Sequence, residues 1–375
     1  MHLSWKRMQW LRFKRFLKES KGPMAALLSG LLIVFTFWLT RSNRFAMTWF
    51  VQKVSSPWKR FWGGLADSLP FSVAELLGTL LVVWLIVMGV RTLYEWRVQV
   101  RRVLGRRLIG LCAVLVWIYA GFCLTWGVHY YTDGFTEKSG IAVEPVSVEQ
   151  LESVTRYFAQ QASRTAALVQ RDENGRFVAD NQRILEYGDA CYAEVVKEWT
   201  FLEGPHRTPK PGFYSAGMSA VGFTGYLFPF LGESTVNVHC PNVYLPVTVA
   251  HEMAHQRGVA PEQEANFLGI AACVSSPDPD YQYSGWLFGY SHLSNALYSA
   301  DPDALERVRE ELSEDCRTDL SWNDEYWADF RSPVSRLVQG GYSGFLQSYG
   351  QTLGLKSYGA CVDLLVAYYD PAAAE

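Results

Sequence analysis

The sequence predicts an N-terminal region of three transmembrane helices, followed by a mostly helical α+β domain with a small sheet. Residues 1–128 hold 18 Lys and Arg against four acids, a net charge of +14, whereas the remainder carries −17. The basic part also contains the longest apolar runs, and the acidic part is polar with helical periodicity. Because 49% of residues are hydrophobic and the bases lie between apolar runs, the pattern excludes a disordered chain, a uniformly soluble domain and a nucleic-acid surface.

Three apolar runs predict the membrane helices. They cover 23–40, 73–90 and 108–128, and each is long enough to cross a hydrocarbon core of about 30 Å. A basic segment of 22 residues precedes the first run, and no small-residue cleavage site follows it before Arg41. These features favour an uncleaved anchor, with a cleaved signal peptide as the competing interpretation.

The distribution of bases predicts the orientation in the cell membrane. Residues 1–22 carry seven bases and the short segment 91–107 carries six, so both are expected in the cytoplasm. Three crossings then place residues 131–375 outside the cytoplasm, on the same side as 41–72. The aromatic and basic stretch WFVQKVSSPWKRFW within 41–72 fits either an amphipathic helix on the membrane surface or a solvated loop.

The remainder of the chain alternates helical and extended patterns. Helices are predicted at 147–170, with a capping box of Ser147 and Gln150, and at 180–200, with Asp180 or Asn181 as the cap. The Gly-rich stretch 204–246 predicts strands or extended loops in short runs such as FYSAGM, VGFTGYLF and STVNVHC. Helices return from Val247 to Tyr369, with breaks at 275–280 and Gly340–Gly341. The five cysteines of this part leave free thiols and one or two disulfides both open.

The sequence VAHEMAHQRGVAPEQEANFLGIAACV (249–274) carries the chemistry. His251 and His255 are four residues apart, so a helix projects both imidazoles from one face at a spacing that suits one zinc ion. Glu252 follows the first histidine, where a carboxylate reaches a metal-bound water. The alternative is an amphipathic helix whose histidines are capped or buried by hydrogen bonds.

A catalytic zinc site takes a third protein ligand and leaves one position for water. Gly258 is placed to end the helix and Pro261 to begin another, which brings acids back toward the histidines. Glu262 is the predicted third ligand and Glu264 the alternative, although either acid also fits a first-turn residue that complements the helix dipole. Asn266, one turn beyond Glu262, is expected to hydrogen-bond a ligating histidine.

These motifs resemble known families. HEMAH resembles the zincin metallopeptidase signature, and EQEAN resembles the E-x-x-x-D/N segment that supplies the third ligand in gluzincin-type membrane peptidases. Pro261 stands where metzincins have their third histidine, which moves the ligand to Glu262. The three apolar runs, WGVHYY (126–131), the Gly-rich segment 212–238 and residues 251–269 together resemble an uncharacterised bacterial membrane family known only as a domain of unknown function.

The resemblance implies a zincin-like fold and a membrane-anchored, Zn²⁺-dependent peptidase that acts on a peptide or protein substrate outside the cytoplasm. Glu252 would be the general base on zinc-bound water, and Tyr283, Tyr290 or His292 would stabilise the oxyanion. The strand within 234–240 would offer an edge on which the substrate pairs. Two alternatives stay open: a non-catalytic zinc-stabilised sensor or scaffold, and a cell-wall peptide amidase with the same zinc chemistry.

Overall fold

The computed structural model describes residues 5–97, 101–350 and 358–370, and the chain divides into two compact units. The membrane-helix unit comprises residues 1–56 and 76–132, and the C-terminal unit comprises residues 57–75 and 133–375. The predicted class is confirmed at this level: the described chain is mostly helical, with three long apolar helices near the N-terminus and a three-stranded sheet.

The N-terminal third of the chain is helical almost throughout. Its helices are α1 (Trp5–Glu19), α2 (Lys21–Thr40), α3 (Arg44–Phe50), α4 (Ser56–Asp67), α5 (Val73–Arg97) and α6 (Arg101–Thr125). Lys21–Thr40, Val73–Glu95 and Leu104–Thr125 are each long and apolar enough to cross a membrane, as the three runs predict. The third ends at Thr125 rather than at residue 128, because Trp126 leaves the helical conformation and a 3₁₀ turn follows.

The segment between the first two apolar helices is not a solvated loop. After α3 the chain continues through one π-helical turn, Val51–Ser55, into α4. All of α4 except its first residue belongs to the C-terminal unit, and so do the first residues of α5 up to Glu75.

Residues 133–375 supply the other elements of the C-terminal unit. They are α7 (Phe135–Ser139), α8 (Val148–Ala166), α9 (Asn181–Tyr187), α10 (Ala193–Glu198), β1 (Lys210–Pro211), α11 (Ser215–Val221), β2 (Gly225–Phe228), β3 (Glu233–Val236), α12 (Leu245–Gln256), α13 (Glu262–Ser275), α14 (Pro279–Ala300), α15 (Pro302–Arg309), α16 (Glu314–Asp329), α17 (Pro333–Ser348) and α18 (Tyr358–Tyr369). The core lies where α12, α13 and α14 pack on one another and on α8 and α18.

The capping box at the start of α8 forms as predicted, whereas the single helix expected over 180–200 is wrong. Ser147 Oγ accepts from the Gln150 N–H at 3.2 Å, and the Gln150 side chain accepts from the Ser147 N–H at 3.1 Å. Asp180 caps α9, but the chain then breaks into a 3₁₀ turn and α10. The break follows Gly188, which lies against α12 so closely that a Cβ there would be 2.6 Å from a Val249 methyl group.

Two predictions about the Gly-rich stretch are wrong. The segment FYSAGM was expected as a strand or an extended loop, but most of it lies in α11, where Ser215 anchors the first turn by donating to the Gly212 carbonyl at 2.6 Å. The strand in 234–240 was expected to present a sheet edge. Instead β3 is central in the order β1-β3-β2, parallel to β1 and antiparallel to β2. Among the described residues, the edges therefore belong to β1 and β2.

The predicted break at Gly340–Gly341 is also wrong, because α17 runs through both residues. Ser332 caps this helix and Pro333 fills its first position, so its N-terminus is well defined despite the glycines. All seven cysteines lie in the described part of the chain and are free thiols, which decides the open alternative against disulfides.

Candidate metal centre

The helix α12 presents both histidines of the HEMAH motif to the same side. Its fold follows from the sequence: Pro246 occupies the first turn, and apolar residues bury the helix almost all round. The helix ends at Gln256, and Gly258 adopts a φ of +92°, which ordinary residues avoid. This turn reverses the chain so that α13 begins at Glu262, directly opposite the histidines.

Three side chains converge there at distances that suit one metal ion. The Nε2 atoms of His251 and His255 lie 3.3 and 3.5 Å from Oε2 of Glu262, and one ligand atom from each residue falls within 4.8 Å of the others. Zinc with bonds of about 2.1 Å in a tetrahedron separates its ligand atoms by roughly 3.4 Å. The residues present therefore fit a divalent metal, and among the described residues this group contains no cysteine.

Hydrogen bonds to neighbouring groups orient both histidine rings. Nδ1 of His255 donates to the Val259 carbonyl at 2.7 Å, so its Nε2 is left for a metal. Asn266 hydrogen-bonds His251, as the sequence predicts for a partner one turn beyond Glu262. Contacts of this kind fix the tautomer and hold a ligand in place before the metal arrives.

Tyr342 is a site residue that the sequence does not reveal. It lies on α17, 80 residues beyond Glu262, and its hydroxyl donates to Oε1 of Glu262 at 2.8 Å. Its ring packs edge-on against Phe223 at 5.5 Å between centroids. The two oxygens of Glu262 thus have different partners, with Oε2 facing the histidines and Oε1 held by Tyr342. No spacing in the sequence links a tyrosine this distant to the motif.

Glu252 is buried beside the metal-binding group. Its side chain is 3% exposed, and its Oε2 has no hydrogen-bond partner among the described residues. The backbone of β2 passes so closely that a Cβ on Gly225 would lie 2.6 Å from Oε1 of Glu252. Burial raises the pKa of Glu252 to about 8, with His255 opposing this shift and Glu262 adding to it. The carboxylate of Glu252 on α12 thus lies against the backbone of β2, which is an edge strand of the sheet.

The close approach of His251, His255 and Glu262 also shifts their pKa values. Burial opposes the charged form of His255, but the Glu262 carboxylate outweighs it and raises the pKa of His255 to about 9. Burial lowers the pKa of His251 despite its bond to Glu262. Burial also opposes ionisation of Glu262, yet the two histidines hold its pKa well below the ordinary value. A cation at the centre of the group would meet a carboxylate that is already ionised.

Glu264 points away from the histidines. Its carboxylate accepts from the N–H groups of Phe135 at 2.8 Å and Thr136 at 3.0 Å, and from the Thr136 hydroxyl at 2.9 Å. These groups form the first turn of α7, so Glu264 joins α13 to that helix. The structure brings Glu262, and not Glu264, to the two histidines.

The three oxyanion candidates fall in different places. Tyr283 donates to the buried Asp319 at 2.5 Å, and Arg309 donates to the hydroxyl of Tyr290. The first contact joins α14 to α16, and the second joins α14 to α15. His292 is buried on α14, where burial and the charge of His251 lower its pKa to about 4. Of the three, His292 is the one that interacts with a metal-binding histidine.

The chain belongs to a family of proteins of unknown function, DUF3810, whose family model matches residues 50–366. The match includes two of the three apolar helices and every residue of the candidate metal centre. Comparisons with curated proteins and with solved structures give no significant match.

Proposed function

We propose that the C-terminal unit is a zinc metallopeptidase. The observation that carries the proposal is the set of three ligand atoms from His251, His255 and Glu262, which lie within 4.8 Å of one another next to the buried carboxylate of Glu252. A structural zinc site closes with four protein ligands and often includes cysteine, whereas a catalytic site has three and leaves one position open. The described group has three members and no thiol.

When bound, zinc would act as a Lewis acid that polarises a peptide carbonyl and lowers the pKa of a water molecule. The chain supplies the rest. His251, His255 and Glu262 would hold the ion, and the hydrogen bond from Tyr342 keeps Glu262 in place. Glu252 takes a proton from the attacking water and delivers it to the leaving amine. The neutral imidazole of His292 has an N–H that stabilises the oxyanion.

The proposed location is the cell membrane, with the N-terminus in the cytoplasm and the C-terminal unit outside. Residues 1–22 and 91–107 hold 13 of the 18 bases in the first 128 residues, as expected for cytoplasmic segments. Residues 57–75 and 133–375 form one compact unit and must share a side of the membrane, which two crossings by α5 and α6 allow. Reporter fusions after residue 144 should behave as extracytoplasmic, and cytoplasmic behaviour would refute this orientation.

The test of the function is a pair of matched variants of the full-length protein in detergent. Glu252→Gln should retain one zinc per chain and lose about 10²- to 10⁴-fold in peptide hydrolysis, because only the proton-transfer group is changed. Glu310→Gln, on an exposed helix end, should change neither quantity. Equal turnover in the two variants would refute the role of Glu252.

The substrates used in that assay separate the alternatives. Hydrolysis of casein-like peptides supports a peptidase, whereas hydrolysis of peptidoglycan fragments alone would make the protein a cell-wall amidase with the same zinc chemistry. Stoichiometric zinc with no hydrolysis of either substrate would favour the sensor or scaffold and refute the proposal.

A further inference from the structure

The helix α4 has two faces of different character. One face is buried in the C-terminal unit and includes Lys59, Gly63 and Ala66. Contact there is close, since a Cβ on Gly63 would overlap the guanidinium of Arg207 and lie 2.6 Å from the Leu231 carbonyl oxygen. The opposite face is exposed and bears large apolar side chains, namely Trp58, Phe61, Trp62 and Leu65.

Further exposed apolar side chains surround the start of α5. Leu69 and Phe71 precede it in the chain, and Phe213 and Tyr214 are attached to it by hydrogen bonds. The Glu75 carboxylate accepts from the Phe213 N–H at 2.8 Å and from the Tyr214 N–H at 2.9 Å. The side chain of Phe213 is nevertheless 86% exposed.

The position of Glu75 indicates where these exposed apolar side chains lie along the membrane normal. It lies in the first turn of α5, whose apolar stretch runs from Val73 to Glu95 and is long enough to cross a membrane. The start of a spanning helix lies at the boundary of the hydrocarbon core, so residues bonded to its first turn lie at that boundary too. Aromatic rings are favoured at this depth, where one part of the ring is apolar and the other is wet.

We propose that these eight side chains form an aromatic face of the C-terminal unit that is embedded in the lipid headgroup region of the bilayer. They are Trp58, Phe61, Trp62, Leu65, Leu69, Phe71, Phe213 and Tyr214. The occupant is lipid because α4 lies in the chain between two apolar helices, α2 and α5, and because the face adjoins the first turn of the second. The exposed Arg60 on α4 adds a group that binds lipid phosphate.

The same contacts bring the candidate metal centre near the membrane. Glu233 of β3 accepts from the Ser72 hydroxyl at 3.0 Å and from the Ala74 N–H at 3.1 Å. The next residue, Ser234, donates to the Glu252 carbonyl at 3.2 Å. Two sets of hydrogen bonds through adjacent residues of β3 thus link the first turn of α5 to α12.

This proximity defines a substrate class if the proposed peptidase function holds. An extended peptide advances about 3.3 Å per residue, so a site within a few residues of a lipid anchor stays close to the bilayer surface. The favoured substrate is therefore a membrane-anchored polypeptide that is cut close to its anchor.

The lipid contact is tested by fluorescence with the full-length protein in phosphatidylethanolamine–phosphatidylglycerol vesicles. An environment-sensitive dye is attached at Phe61→Cys, at Phe213→Cys or at the control Leu168→Cys, each in a Cys112→Ser background. Spin-labelled lipid should quench the dye at the first two positions, and aqueous iodide should quench it at the exposed control position. Iodide quenching at positions 61 and 213, or protection there from both quenchers as a protein partner would give, overturns the proposal.

The substrate class is tested with one peptide sequence that is placed five or 30 residues from a lipid anchor. The protein should cut the near site about tenfold faster or more, and Phe61→Ser with Phe213→Ser should remove this preference while cleavage of the free peptide continues. Equal cleavage of the two sites would overturn the juxtamembrane assignment. If the wild type cleaves nothing, the peptidase proposal fails, and the quenching result still decides the lipid contact.

Discussion

The hydrogen bond between Tyr342 and Glu262 makes a quantitative prediction about metal affinity. Tyr342→Phe removes one hydroxyl and preserves the ring that packs on Phe223. A hydrogen bond to a charged acceptor is worth about 1.5 to 3 kcal/mol, and 1.4 kcal/mol corresponds to a tenfold change in an equilibrium constant. The loss of the 2.8 Å bond should therefore weaken zinc binding about 10- to 100-fold, the range seen when partners of metal ligands are removed.

The assay is a competition between the purified protein and a zinc chelator of known affinity. Tyr298→Phe is the matched control, because Tyr298 is an exposed tyrosine at the end of α14. Its zinc affinity and its thermal unfolding midpoint should equal those of the wild type. An unchanged dissociation constant in Tyr342→Phe would show that Oε1 of Glu262 needs no partner and would refute the reasoning.

Three further predictions concern other parts of the C-terminal unit. Glu264→Ala should keep its zinc, measured by metal analysis, but lower the thermal unfolding midpoint. The reason is that one buried and two part-buried donors lose their acceptor, at about 1 kcal/mol or more each. Gly225→Ala should lower turnover at unchanged zinc content by displacing Glu252, whereas Gly217→Ala, with no atom closer than 4.0 Å to the new Cβ, should not. Lys59→Met should change how the free energy of unfolding depends on pH. Burial, aided by the positive charge of Arg207, lowers the pKa of Lys59 from 10.5 to about 7. Between these pH values the Lys59 amine is therefore protonated in the unfolded wild type but not in the folded one. Unfolding midpoints of the wild type should thus rise relative to Lys59→Met as the pH increases from 7 to 10, and parallel curves would contradict this.

Patterns that depend on neighbours in the chain predicted their part of the structure well. The apolar runs correctly predicted the three long helices, and Ser147 with Gln150 correctly predicted a capping box. Both features depend only on residues that lie close together in the chain. His251 and His255 share a helix face for the same reason. Gly258 was expected to end that helix, and its positive φ shows why a glycine is needed there.

Contacts between distant residues account for what the sequence could not show. Gly188 lies so close to α12 that a larger residue would not fit, and nothing near position 188 indicates this contact. β3 became the central strand only when β1 and β2 paired on either side of it. Tyr342 reaches Glu262 across 80 residues, and Gly225 touches Glu252 from a strand that carries no motif.

The buried Glu233 carboxylate has a consequence for how the protein is made. It also contacts Lys210, whose ammonium group donates to the carbonyls of Ala66 and Phe71. Ser72 leaves the ribosome 161 residues before Glu233. The helices α5 and α6 lie between them in the chain, so both are synthesised before Ser72 can bond to Glu233. A fragment that begins after α6 would lack those early residues and would leave two buried charges short of partners. The membrane helices therefore bracket a portion of the folded domain, and replacing them with a simple anchor would remove a piece of it.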